Sequence, residues 1–148
     1  MTETPREGQT LPDLRFTAED GSELSVRDLA GRKTVLYFYP KDGTPGCTKE
    51  ACAFRDRMED YRREGIEVYG VSVDSPESHR EFREENGLNF PLLTDEEGEA
   101  AAALGILGER GTARRTTFLL GEDGEIRKVY PEVSPETHAD EILRDAGS

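Results

Sequence analysis

The chain is poor in several residue types. Among 148 residues it has no Trp, two Cys, two Met, two His and four Lys. A long apolar run is also missing; the longest, Val35 to Tyr39, is far too short to cross a bilayer. The opening MTETPREGQT is polar, so a secretory leader is not expected and the chain reads as cytoplasmic. Basic residues are outnumbered: 19 Lys and Arg against 32 Asp and Glu give a formal net charge of -13. That balance disfavours a phosphate backbone and anionic membranes, so neither nucleic acid nor membrane is an expected partner. Arg supplies 15 of the 19 cations. A Lys-poor acidic surface fits work in high salt, where self-repulsion is screened, and fits an ordinary soluble acidic protein equally well. The length suits one domain over residues 1–148 with a real core.

Strand-like and helix-like segments alternate, with no repeat or linker. Leu14 to Thr17 and Glu23 to Ser25 flank AEDGS, a hairpin turn carrying Asp-Gly. SVRDLAG reads as a helical turn ended by Gly31. Thr34 to Tyr39 is apolar on both faces, which predicts a central strand covered by helices on both sides. Ile66 to Val73 is a second such strand, with a helix between them ended by Gly65. This is a βαβ crossover, so the two strands should be parallel. SPESHREFREEN predicts a helix with Pro76 at its first position, closing at Gly87. PLLTD as a short strand, EEGEAAAALG as a short helix, the hairpin TTFLLGEDGEIRKVY and a closing helix SPETHADEILRDA complete an α/β sandwich around a mixed sheet. Gly105 to Ala113 is Gly-rich and reads either as a mobile loop or as a plain connector.

Both cysteines lie in YFYPKDGTPGCTKEAC, five positions apart. In the predicted helix Cys47, Ala51, Phe54, Met58 and Tyr61 form one apolar stripe, so Cys47 faces inward and Cys52 does not. Five helical residues turn roughly 140° and rise roughly 7.5 Å, which separates the two Cα atoms by roughly 8.7 Å. A disulfide needs Cα atoms within about 7 Å, so the thiols cannot join while the helix is intact. The spacing disfavours a permanent staple and suits a pair that joins in one redox state only. A zinc site would need two further ligands. His79 and His138 lack ligand spacing, sit among charged residues and are expected as solvated surface groups. Cys47 follows the C-terminal end of a parallel strand and sits in the first turn of a helix, where the dipole favours a thiolate. Pro40 and Pro45 stiffen this loop. Thr44 is either a helix N-cap or a hydroxyl serving the site.

Pro40, Thr44 and Cys47 form P-x-x-x-T-x-x-C, which resembles the active-site loop of peroxiredoxins. The continuation GCTKEACAFRD resembles the bacterioferritin comigratory protein, or peroxiredoxin Q, subgroup, and the likeness runs from GQTLPDLRF to the last helix. It implies a thioredoxin-like fold with an N-terminal β-hairpin extension. It also implies a peroxidatic Cys47, a resolving Cys52, a hydroperoxide substrate, a thioredoxin-type dithiol reductant, no cofactor and an often monomeric chain.

A thiolate attacking a peroxide needs a fixed cation. Most Arg residues lie in helix candidates among acids, as solvated pairs. Arg115 instead precedes the apolar strand TTFLL and matches the family's R-x-x-F-L. If that strand runs antiparallel to Thr34–Tyr39, Arg115 lies at the edge carrying Cys47, while Arg114 points to the opposite face. Glu50, one turn after Cys47, either orients Arg115 through a bidentate pair, as the equivalent acid does in the family, or is a capping or surface residue. The rival functions are a general thiol-disulfide reductase, which the missing C-x-x-C opposes, and a non-enzymatic redox-sensing or holdase module.

Overall fold

The computed structural model describes residues 4–29, 31–131 and 133–146. Residues 1–3 of the polar opening and Ala30 of the SVRDLAG turn lie outside the described residues.

At the centre is β3 (Lys33–Phe38), built from the β-branched and aromatic run Thr34 to Phe38. It pairs in parallel with β4 (Ile66–Ser72), Val35 opposite Val68. The crossover between them is α1 (Pro45–Arg63). On the other side of β3 lies β6 (Thr116–Leu120), antiparallel, with Phe38 opposite Thr116. β7 (Ile126–Tyr130) closes that edge through the predicted Asp-Gly turn, where Gly124 takes φ +84°. β5 (Leu92–Thr94) adds in parallel to β4. The N-terminal hairpin of β1 (Arg15–Ala18) and β2 (Glu23–Ser25) completes a seven-stranded mixed sheet in the order β2-β1-β5-β4-β3-β6-β7.

Alternation along β3 divides the core into two layers. Val35, Tyr37 and Tyr39 face α1, α2 (Pro76–Asn86) and α4 (His138–Ala146). Leu36 and Phe38 face Leu11, Leu14, Leu29 and the short α3 (Glu99–Ala103). The second layer is thus covered largely by the N-terminal segment rather than by long helices. The predicted stripe of α1 is the buried face: Cys47, Ala51, Phe54, Met58 and Tyr61 are each at most 4% exposed. Phe54 stacks on Tyr37 with ring centroids 4.6 Å apart. Burying each large side chain of this stripe contributes roughly 1.5–3 kcal/mol.

Local chemistry sets the other helices. Ser75 caps α2 by accepting from the Ser78 N–H, and Gly87 ends it in the left-handed region at φ 60°. EEGEAAAALG is not one helix but a 3-10 turn followed by α3, with Glu97 and Gly98 at positive φ between them. Asp95 holds α3 by accepting from the Ala100 and Ala101 N–H groups. Gly105 to Ala113 folds back on itself: Gly108 N–H donates to Thr112 O, and Arg114 N–H donates to Ile106 O. It therefore serves as a connector, anchored by buried Ile106 and Ala113, that delivers the chain to β6.

The histidines also depart from expectation. His79 and His138 are not surface groups; they are 0% and 1% exposed. Their charged sequence neighbours occupy the outer helix faces, while each imidazole turns inward to hydrogen-bond partners. His138 Nε2 lies 2.7 Å from Thr117 Oγ1, its ring packs edge-on against Phe54 and Tyr130, and burial pushes its pKa down.

Candidate active site

The site forms where β3 ends and α1 begins. Thr44 is the N-cap: its Oγ1 accepts from the Cys47 N–H at 3.4 Å and donates to Lys41 O at 3.3 Å. The capping role is therefore visible, and it ties Thr44 directly to the amide of Cys47. Pro45 starts the helix, where its missing N–H costs nothing. Pro40 is half-buried at the entrance to the loop. Cys47 falls in the first turn, 1% exposed, among helix N–H groups that favour negative charge.

The antiparallel register of β3 and β6 brings Arg115 to the same sheet edge as Cys47, as expected. Its Nη2 lies 3.4 Å from Cys47 Sγ and its Nη1 donates to Glu50 Oε1 at 2.6 Å. One guanidinium thus bridges the thiol and a buried carboxyl. Arg114 points elsewhere, donating to Gly105 O beside a hollow lined by Arg6, Ile106 and Val129. Gly46 makes room for the fork: a Cβ there would sit 3.1 Å from Arg115 Nη2, tighter than ordinary contact. Sequence inspection gave no hint of that role, because Pro-Gly reads simply as a turn.

Glu50 is neither a cap nor a surface residue, being fully buried. Nor is its pairing with Arg115 bidentate. Only Oε1 is engaged; among the described residues, Glu50 Oε2 and Tyr37 OH are the buried side-chain atoms without a hydrogen-bond partner. The guanidinium gives its other nitrogen to Cys47, so the second oxygen goes unpaired. Burial raises the Glu50 pKa to about 7, although Arg115 pulls it down. Burial also opposes the charge on Arg115, but Glu50 and Cys47 together raise its pKa.

The linkage has a definite sign. Glu50 holds its proton more tightly when folded (about 7) than when unfolded (4.5). The folded chain therefore binds more protons between these values, and stability falls as pH rises through that window. Relative to Glu50→Gln, the wild type should lose about 3 kcal/mol between pH 4.5 and about pH 8. Urea midpoints at the two pH values check this; parallel curves for the two proteins would exclude a strained, neutral-leaning Glu50.

Cys52 is half-buried and is not bonded to Cys47. It lies in a shallow hollow between α1 and α4, lined by Lys49, Arg57, Glu136 and Asp140. Both cysteines belong to one uninterrupted helix, so the separation expected from helix geometry applies. The sequence reading passed over Asp42 and placed His79 in solvent, yet the two meet beside the loop at 2.8 Å. Their signal was present: His79 and Phe82 share the inner face of α2 at a spacing of three.

Comparison with known proteins agrees with this geometry. Residues 8–129 match the AhpC/TSA family. Peroxiredoxin Bcp of Escherichia coli (strain K12) is 35% identical over an alignment 143 positions long that covers 92% of each chain. The crystal structure of peroxidoxin BcpB from Mycobacterium tuberculosis superposes with a TM-score of 0.88 at 33% identity, covering 96% of both chains. The bacterioferritin comigratory protein of Xanthomonas campestris, whose structures address alkyl peroxide reduction, gives a TM-score of 0.87 at 32% identity, covering 95% of this chain and 97% of that one. The chain therefore belongs to the AhpC/TSA family and, within it, to the peroxiredoxins of the Bcp and peroxiredoxin Q kind, which are thiol-dependent peroxidases.

Proposed function

We propose that Cys47 is the peroxidatic thiol and Cys52 the resolving thiol of a hydroperoxide reductase recycled by a thioredoxin-type dithiol. The Cys47 thiolate attacks one peroxide oxygen; an S–O bond forms, the O–O bond breaks, and water or an alcohol leaves with a proton. Arg115, Thr44 and the first-turn amides hold the charge that moves onto oxygen. The first turns of α1 then unwind. Cys52 attacks the sulfenic acid, an S–S bond replaces S–O, and water departs. An external dithiol restores both thiols by exchange. Organic hydroperoxides fit as substrates beside hydrogen peroxide, since the Xanthomonas campestris relative is studied for alkyl peroxide reduction.

The observation that carries this is the 3.4 Å approach of Arg115 Nη2 to Cys47 Sγ, with a second cysteine on the same helix. Mixing the protein with hydrogen peroxide in a stopped-flow instrument, followed by tyrosine fluorescence, tests it. Cys52→Ser should give one fast peroxide turnover per chain and then stop, unless an external thiol is added. Wild type should also lose amide-exchange protection around Cys52 on oxidation. Continued turnover of Cys52→Ser without thiol, or equal protection in both redox states, would refute the resolving role. Reduction of insulin disulfides without peroxide consumption would favour a general reductase instead. Among the described residues no helix is long and apolar enough to cross a membrane.

A further inference from the structure

A second polar cluster lies behind the loop that carries Thr44. Asp42, whose side chain is 6% exposed, meets three polar partners. Tyr39 OH donates to Oδ1 at 2.6 Å, while Ser78 Oγ donates to Oδ2 at 2.9 Å. His79 Nδ1 lies 2.8 Å from the same Oδ2. The other ring nitrogen of His79, Nε2, faces Leu93 O at 3.0 Å. A carbonyl only accepts, so Nε2 carries hydrogen. Nδ1 is enclosed by Asp42 Oδ2 and, at 3.4 Å, by Tyr39 OH, so both ring nitrogens have polar partners.

This pair reaches the reacting thiol through a short chain of contacts. The Asp42 N–H donates to Asp74 Oδ2 at 2.8 Å, and Ser72 Oγ donates to the same oxygen at 2.7 Å. The peptide joining Lys41 to Asp42 is thus held from its side chain and its amide. That peptide supplies the carbonyl that accepts from Thr44, and Thr44 accepts from the Cys47 N–H. From α2 to the first turn of α1, no link is missing.

Resting on the peroxidase reading above, we propose that the Asp42–His79 pair is a positioning latch. It holds the Pro40–Thr44 loop, and through Thr44 the amide of Cys47, in the conformation that attacks peroxide, and it restrains the unwinding that lets Cys52 close. Neither residue touches the reacting atoms. Their effect is therefore a split between the two steps, which loss of general stability would not produce.

Stopped-flow oxidation of the full chain reads both steps in one trace. In His79→Asn the first phase should slow roughly tenfold, since small misplacements at a reacting centre are expensive. The second phase, closure of the disulfide, should quicken. Asp42→Asn keeps the shape but removes the charge, and should show the same split if His79→Asn fails to fold. Ile142→Ala, a core truncation on α4, serves as the stability control and should leave the first phase unchanged. Phases matching wild type in both latch variants, or the same split in Ile142→Ala, would overturn the latch while leaving the peroxidase intact. A wild type lacking any fast phase would overturn the peroxidase reading itself.

Discussion

Replacing Cys47 by Ser should reduce peroxide consumption by at least about a thousandfold, to the background of a chain without a reactive thiol. The prediction follows from what serine cannot do at this position. The helix N-terminus and Arg115 are arranged to favour a thiolate, and a serine hydroxyl in the same place stays protonated. Sulfur is also the far better nucleophile toward oxygen. The exchange is nearly isosteric, so the packing of the α1 stripe should survive and circular dichroism should be unchanged. Peroxide consumption is the measurement. Residual activity within tenfold of wild type would move the peroxidatic role to Cys52, the remaining thiol, and undo the assignment.

Arg115→Ala should slow the first step by about a hundred- to a thousandfold, the range typical for losing one preorganised donor at a charge-developing oxygen. Two effects are mixed in that variant. The fork no longer faces Cys47 Sγ, and the buried Glu50 loses its partner. A buried carboxylate without a counter-ion is strongly destabilising unless it takes up a proton. The double variant Arg115→Ala/Glu50→Gln separates them. It should recover much of the stability lost in Arg115→Ala and none of the rate. Arg115→Lys should fall in between, since a single ammonium cannot meet both carboxyl and sulfur. Recovery of rate in the double variant would mean that Arg115 acts only as a counter-ion to Glu50.

What the sequence made legible depended on local period and pairing. The α1 stripe could be counted because helical spacing is fixed and Cys47, Ala51, Phe54, Met58 and Tyr61 are each apolar. Arg115 could be placed because one antiparallel pairing determines which sheet edge the start of β6 occupies. Asp42 and His79 could not be paired in this way. They are 37 residues apart on different elements, and both are surrounded by polar neighbours that suggested solvent. Glu50 was ambiguous for a related reason. It lies three residues after Cys47, at the border of the stripe, where its charge argues for the surface and its angle for the core. The single-oxygen contact with Arg115 depends on how the guanidinium is shared, which no residue pattern encodes.

The packing of α1 against its surroundings gives the redox cycle a mechanical limit. Beyond Cys52 the helix is fastened at several points, among them Phe54 against Tyr37, Arg55 to Asn86 O at 2.6 Å, Arg57 to Asp140 at 2.6 Å, and Tyr61 OH to Ala139 O at 2.7 Å. Ahead of Cys52 it has the exposed Lys49–Glu136 pair, a contact worth about 0–1 kcal/mol, and the buried Glu50–Arg115 pair. A fraying front that starts at Thr44 must release the Thr44 cap, the Arg115–Glu50 pair and the buried Cys47 and Ala51 before it meets the denser fastening at Phe54. The last ten residues of the helix remain as a seeded template, so each return to the dithiol form regrows two turns on existing structure and avoids the slow nucleation of a new helix.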